Sequence, residues 1–287
     1  MQTSESLRRQ LDVARELSSV VTTMKSLAAV ELREHEQAVS ALAESVRVLQ
    51  SGFQAVFHRY PDLVPVDEMP DRTEIAIVFG TDQGLCGPLN RIIVRRALAE
   101  IGDADVMAVG LRAARELEVA GRAPIRMFGL PGTLGAVGES VKALVFAVDE
   151  RRVRHSGGRV VLIHHRPRGR QGYEPRVVTV SPLDRGLLAA IARRPWPTRC
   201  LPTSMGDPRV LLQSLTRQAV SYSLHRAFTE ARASEHAGRL IAMQNAEQSI
   251  TEREEELARE LHRLRQATIT AELLDVVAGF EAVAGQD

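Results

Sequence analysis

Apolar or small residues recur at Leu7, Leu11, Ala14, Leu17, Val21, Met24, Ala28 and Leu32, in steps of three and four. That spacing draws one stripe along a helix and predicts the seam of a coiled coil. A second stripe follows Leu257, Leu261, Leu264, Thr268, Ala271, Leu274 and Ala278. Between the two the pattern changes. IAIVFG (Ile75–Gly80), DVMAVG (Asp105–Gly110), APIRMFG (Ala123–Gly129), RVVLIHH (Arg159–His165) and PRVVTV (Pro175–Val180) are short apolar runs of strand length. Helical stretches follow the first three, from about Asn90 to Ile101, Leu111 to Ala120 and Glu139 to Arg154. Such alternation predicts a parallel sheet with helices on both faces. The last two runs are read as a hairpin across the turn-rich Pro167–Gly172.

The helix breakers sharpen this division. Residues Met1 to Ser51 hold no Gly and no Pro, and Arg209 to Ala278 hold no Pro and one Gly, Gly238. Every proline lies between Pro61 and Pro208. Pro costs ~3 kcal/mol in a helix interior and Gly roughly 1, so both ends are free to be long helices. The first is expected to start with Thr3 or Ser4 as its cap and to run to about His58, where Tyr60-Pro61 ends it. At ~1.5 Å per residue it would span roughly 80 Å, more than one small domain can bury. The last is expected from about Arg209 to Ala278, after a proline-rich linker at Arg194–Pro208. The fold class is α/β: a long antiparallel coiled coil of N- and C-terminal helices with an inserted Rossmann-like domain. The expected divisions are a shaft helix at 1–58, an α/β insert at 73–193 and a second shaft helix at 209–287.

Composition changes this picture little. Aromatics are only 4% of 287 residues, which suits helix-on-helix packing through Leu, Val and Ala. The formal net charge of +1 offers no bulk field for nucleic acid or an anionic membrane. Lys25 and Lys142 are the only lysines. Cys86 and Cys200 form no CxxC pair, so free thiols in a reducing compartment are expected. No stretch reaches the ~20 apolar residues of a membrane span, and the polar start (Thr3, Ser4, Glu5, Arg8, Arg9, Gln10) is not that of a secretory signal. The chain is expected to be soluble, or held at a membrane by partners.

Candidate chemistry is sparse. Thr81–Asn90 (TDQGLCGPLN) follows a strand and precedes a helix, where α/β sheets bind phosphates. It is neither GxGxxG nor a Walker loop, and it has no Lys. A tight turn needing Gly at positive φ is the favoured reading, with Gly84 and Gly87 as its glycines. Cys86 has no neighbouring His to activate it. Gly129, Gly132, Gly135 and Gly138 read as a loop ending at a helix start. His164 and His165 are adjacent on a strand and point to opposite faces, which argues against a shared metal. Glu235-His236 lacks the second His of HExxH. No carboxylate pair, triad or metal spacing emerges, so no catalytic residue, cofactor or metal is assigned.

Longer segments carry a resemblance. ASEHAGRLIAMQNA (Ala233–Ala246) and LRQATITAEL (Leu264–Leu273) resemble the two most recognisable C-terminal segments of the gamma subunit of F-type ATP synthases. Asp82–Gly87 (DQGLCG) resembles that family's glycine turn after the first strand, and Met24–Ala29 (MKSLAA) its N-terminal Met-Lys segment. The resemblance covers the chain in order: helix, α/β insert, helix. Pro88, Glu31, Glu34, Thr22, Thr23 and the Gly129–Gly138 series depart from the family pattern. They suggest the divergent, alternate branch that some bacteria encode as a second ATPase, a sodium-pumping type, and leave proton or sodium open.

The resemblance implies a non-catalytic rotor, the central stalk that couples ion flow through a membrane ring to ATP synthesis or hydrolysis on the beta subunits. Its implied partners are the alpha and beta subunits, epsilon and the membrane c-ring, with no nucleic acid. Its implied place is the cytoplasmic side of the bacterial plasma membrane, bound peripherally. Arg265, Gln266, Thr270 and Glu272, with Met24 and Lys25, are the implied contacts to beta. The small, weakly charged end Leu273–Ala284 suits a tip turning in a sleeve. Two other readings stand beside it: a coiled-coil scaffold that never rotates, and an α/β protein with helical arms that binds a nucleotide at Asp82–Gly87.

Overall fold

The computed structural model of the chain describes residues 3–65, 70, 72–152, 158–169, 172–203 and 206–284, without the side chains of 278–284. Arg154, parts of the expected hairpin turn and linker, residues 285–287 and the side chains of Ala278–Ala284 therefore lie outside the described residues.

Two helices dominate, α1 (Ser4–Arg59, 56 residues) and α6 (Pro208–Ala284, 77 residues). At the start of α1 the Ser6 N–H donates to Thr3 Oγ1 at 3.2 Å, a cap of the expected kind. Pro61 opens a 3-10 turn directly after α1. At the start of α6, Asp207 Oδ1 accepts from the Arg209 N–H at 2.8 Å. Pro208 stands at the first helical position, where its missing donor costs nothing.

Between them lie β1 (Thr73–Phe79), α2 (Leu89–Glu100), β2 (Asp105–Val109), α3 (Leu111–Val119), β3 (Arg126–Phe128), α4 (Val137–Arg152), β4 (Arg159–Pro167), β5 (Tyr173–Ser181) and α5 (Arg185–Arg193). The sheet order is β3-β2-β1-β4-β5. The first four strands are parallel, and β5 closes the edge antiparallel to β4 as the expected hairpin. The mixed α/β class with long terminal helices is therefore the observed one. Helix α5 has no counterpart in the sequence expectation. Asp184 caps it through the Leu187 N–H at 3.1 Å, and Leu188 and Ile191 bury against Phe53, Val56 and Phe57 of α1.

Contacts divide the chain into two compact units, residues 28–239 and residues 1–27 with 240–287. In the first, alternation along β1 feeds two cores. Ala76 and Val78 face α2 and α3, through Ile93, Val94, Ala97, Ala114 and Leu117. Ile75, Ile77 and Phe79 face α4 and also α6, whose Leu224, Ala227, Phe228 and Ala231 cover this side of the sheet. The second unit is an antiparallel helix pair in which Leu7 packs with Leu257 and Leu261, flanked by Leu11 and Leu264.

That pair corrects the expected seam at Leu17, Thr268, Ala271 and Leu274. Leu17 is 51% exposed, while Ser18 is half-buried. The stripe that faces inward steps through Leu7, Leu11, Ala14, Ser18, Val21 and Lys25, a strict heptad alternation of four and three, so Leu17 falls one position outside it. On α6 the seam stops at Leu264. Thr268, Ala271 and Leu274 are exposed, because the pairing brings the start of α1 beside Leu257–Leu264 and, among the described residues, no helix lies opposite those beyond.

Candidate functional site

The crevice at the strand ends is where an α/β sheet would hold a ligand. The strand order reverses between β1 and β4, and ligands of open α/β sheets bind at such switch points. Here the turn after β1 is closed on itself. The Thr81 N–H donates to Asn90 Oδ1 at 3.0 Å, Asn90 Nδ2 donates to Thr81 Oγ1 at 2.8 Å, and Thr81 Oγ1 donates to the Gln83 carbonyl at 2.7 Å. The Asp82 carboxylate accepts from the Leu111 N–H at the start of α3 and from the Leu130 N–H, both at 2.8 Å. A helix N-terminus that could attract a phosphate is thus already occupied by a carboxylate. Gly87 takes the expected positive φ of +64°, and the other left-handed residue of the turn is Leu85, at +61°, not Gly84.

The chain also fills the crevice with its own helix. A Cβ on Gly238 would lie 3.0 Å from the Cys86 carbonyl oxygen and 3.0 Å from Tyr173 Cε1. Gly238 therefore permits the helix backbone to approach the turn. Arg239 reaches Gly84 O at 3.5 Å and Glu235 at 2.7 Å, and Arg232 holds the other Glu235 oxygen at 3.0 Å. Cys86 is buried, and burial pushes its thiol up, the opposite of what a nucleophile needs.

His164 and His165 point to opposite faces, as expected. His164 Nε2 donates to Glu230 at 2.7 Å on the α6 side. Burial holds His164 below its ordinary value. Burial works against the Glu230 charge, but the His164 hydrogen bond and Arg226, at 2.7 Å, outweigh it and hold the carboxyl below the usual range. His165 Nε2 donates to the Leu89 carbonyl at 3.0 Å on the α2 side, and burial lowers its pKa to about 4. Both are core histidines that join the sheet to its helices.

The positions taken from the resemblance lie in the helix pair. Met24 is half-buried. Lys25 Nζ donates to both oxygens of Glu247, at 2.5 and 2.8 Å, and Thr22 adds a contact at 3.4 Å. The Lys25 hydrogen bond holds the Glu247 carboxyl below the usual carboxylate range. Glu247 carries no sequence signal for this role, because its opposite number is more than 200 residues away. Arg265, Gln266, Thr270 and Glu272 are all exposed on α6, beyond the end of the seam. Thr270 Oγ1 donates to the Gln266 carbonyl at 2.8 Å, and no ion pair holds Arg265 or Glu272 among the described residues. The structure does not bring Met24 and Lys25 together with Arg265–Glu272; they are separate stretches of one helix pair. Sequence reading also missed a cluster of Glu31, His35 and His236, whose members come from opposite ends of the chain.

The described residues hold no helix long and apolar enough to cross a membrane. A family model described as ATP synthase matches residues 3–283. Among solved structures, the chain is similar to a chain of the Euglena gracilis mitochondrial ATP synthase rotor, at 14% identity and a TM-score of 0.65, over 93% of this chain and 98% of that one. A second Euglena gracilis structure, of the OSCP, F1 and c-ring assembly, matches at 15% identity and a TM-score of 0.65, over 99% and 96%. A chain of the Tetrahymena thermophila mitochondrial ATP synthase central stalk and c-ring matches at 18% and 0.57, over 79% and 99%.

Proposed function

The chain belongs to the ATP synthase gamma-subunit family, and from that premise we propose how it works as the central-stalk rotor of an F-type ATP synthase. The observation that carries the reading is the match itself, which runs from the first turn of α1 to the end of α6. Both helices and the insert are therefore family features, not additions to some other fold.

The subunit performs no chemistry of its own. The crevice that would bind a nucleotide is approached closely by α6, and the Thr81, Leu111 and Leu130 N–H groups beside it are already bonded to Asn90 and Asp82. Conformational bias is what it supplies. A rotor presents different faces to three copies of the catalytic subunit in turn and shifts each between states of different nucleotide affinity. Helices paired through Leu7, Leu257 and Leu261 give the stiffness for this. Arg265, Gln266, Thr270 and Glu272 stand exposed on α6 past the end of the seam, with polar groups available to the beta subunits. Lys25 has a weaker claim to such a contact, because Glu247 already neutralises it. The assembly sits at a bacterial plasma membrane on its cytoplasmic side and is held there through epsilon and the c-ring, moving protons or sodium.

Co-expression with alpha and beta subunits from the same genome tests this. The expected product is a 3:3:1 complex with steady ATPase activity. Arg265→Ala combined with Gln266→Ala is expected to leave folding unchanged and to lower coupled ATP synthesis at least tenfold. A chain that stays alone or forms a symmetric homo-oligomer would sink the proposal, and unimpaired coupling in the double variant would remove the roles of those two residues.

A further inference from the structure

We propose that Glu31, His35 and His236 form a binding site for a divalent cation of the Zn²⁺ class. Glu31 and His35 lie one turn apart on α1 and so share a face; His236 comes from α6. One ligand atom from each falls within 4.8 Å of the others, and the two imidazole rings are 5.2 Å apart. Two imidazoles and a carboxylate, with a fourth position left for water, are a set that Zn²⁺ takes.

The hydrogen bonds prepare the ligands. His35 Nδ1 lies 2.8 Å from the Glu31 carbonyl oxygen. A carbonyl only accepts, so Nδ1 carries the proton and Nε2 keeps a free lone pair. Metal-bound histidines are commonly oriented by such a bond from their other nitrogen. His236 is 4% exposed, and its buried Nε2 has no hydrogen-bond partner. It faces Glu31 Oε2 at 3.8 Å. A buried ring nitrogen left unpaired in this way is costly and needs a reason, which a cation supplies. On binding, the His236 proton moves to Nδ1, giving up only a 3.4 Å contact with Arg239.

Two features oppose a cation and are offset. Arg232 and Arg239 lie nearby, but both are held by the fully buried Glu235, and the Glu31 carboxylate adds a second negative charge. The ligand atoms stand wider than the roughly 3.4 Å separation of a tetrahedral zinc shell with bonds near 2.1 Å. The Glu31 side chain, 36% exposed, is the member free to move inward.

The test is calorimetric titration of the chelator-treated full chain with Zn²⁺, with Co²⁺ absorption reporting the coordination. One ion per chain is expected, with a tetrahedral Co²⁺ band and a rise in melting temperature on adding Zn²⁺. His35→Ala and His236→Ala should each weaken binding by roughly a hundredfold or more, by the scale of lost metal partners. Glu31→Gln, on a half-exposed side chain, should weaken it at least tenfold and reduce the thermal shift; it decides the matter if a histidine variant does not fold. Cys200→Ser removes the one exposed thiol and should change nothing. Absence of a stoichiometric site, binding that survives Glu31→Gln and His35→Ala, or binding lost with Cys200 overturns the proposal.

Discussion

Glu230 shows what a single buried charge does here. Its carboxylate is 3% exposed and is held by His164 at 2.7 Å, Arg226 at 2.7 Å and Arg176 at 3.6 Å. These partners reach it from β4, β5 and α6, so the group joins the last helix to the sheet. Removing one partner from a buried ionic set costs more than the set contributed, because the remaining groups lose their match. Glu230→Ala is expected to cost about 3 kcal/mol in urea unfolding. Arg226→Ala should cost less, about 1 kcal/mol, since the Arg226 side chain is nearly half exposed and His164 and Arg176 still hold the Glu230 carboxylate. Equal losses for the two would show that the pair with Arg226 carries most of what Glu230 contributes. Gly238 belongs to the same scale: one missing Cβ decides whether α6 can meet the Cys86 turn.

At the scale of elements, the helix pair is governed by its register. Ser18 and Lys25 occupy seam positions where a coiled coil would use apolar residues, and Lys25 is answered by Glu247 across the pair. A polar seam position fixes register at some cost in stability. Ser18→Leu is therefore expected to raise stability by about 1 kcal/mol, from the apolar area it buries. Leu17→Ala should stay within about 0.5 kcal/mol, as surface substitutions do. Thermal or urea unfolding of the two variants checks the register, and the reverse ranking would put Leu17 back on the seam.

The molecule as a whole should be sensitive to acid. His165 has its pKa lowered by burial from 6.5 to about 4, and burial lowers His164 as well. As pH falls below about 6.5 the unfolded chain takes up these protons first. The stability tied to the two groups is thus complete above that pH and is lost on the way down towards pH 4. Each such proton is worth about 1.4 kcal/mol per pH unit at most. Glu230, with its depressed pKa, loses stability in the same direction, but only below the ordinary carboxylate value of 4.5. Urea unfolding between pH 7.5 and 4.5 should therefore show falling stability, and His165→Phe should flatten part of the slope. A flat profile would mean that the histidines are not held neutral by the fold.

The sequence by itself determined whatever is local and periodic. The absence of Pro and Gly from the ends set the long helices, because a breaker acts on the turn that contains it. Short apolar runs between turn signals set the strands and their alternation with helices, and the contiguous segments at Ala233–Ala246 and Leu264–Leu273 carried the family. Helix α5 escaped because it is only nine residues long and carries Gly186 in its first turn, although Asp184 caps it and Leu188 and Ile191 pack against Phe53 and Phe57. The tertiary structure alone decided the pairings between distant residues. A stripe of Leu and Ala fits Leu17 or Ser18 almost equally well until the partner helix settles the phase. Nothing near Lys25 points to Glu247, and nothing near His35 points to His236. Those choices belong to the packing of two helices whose facing residues are more than 200 positions apart, and only the fold brings them together.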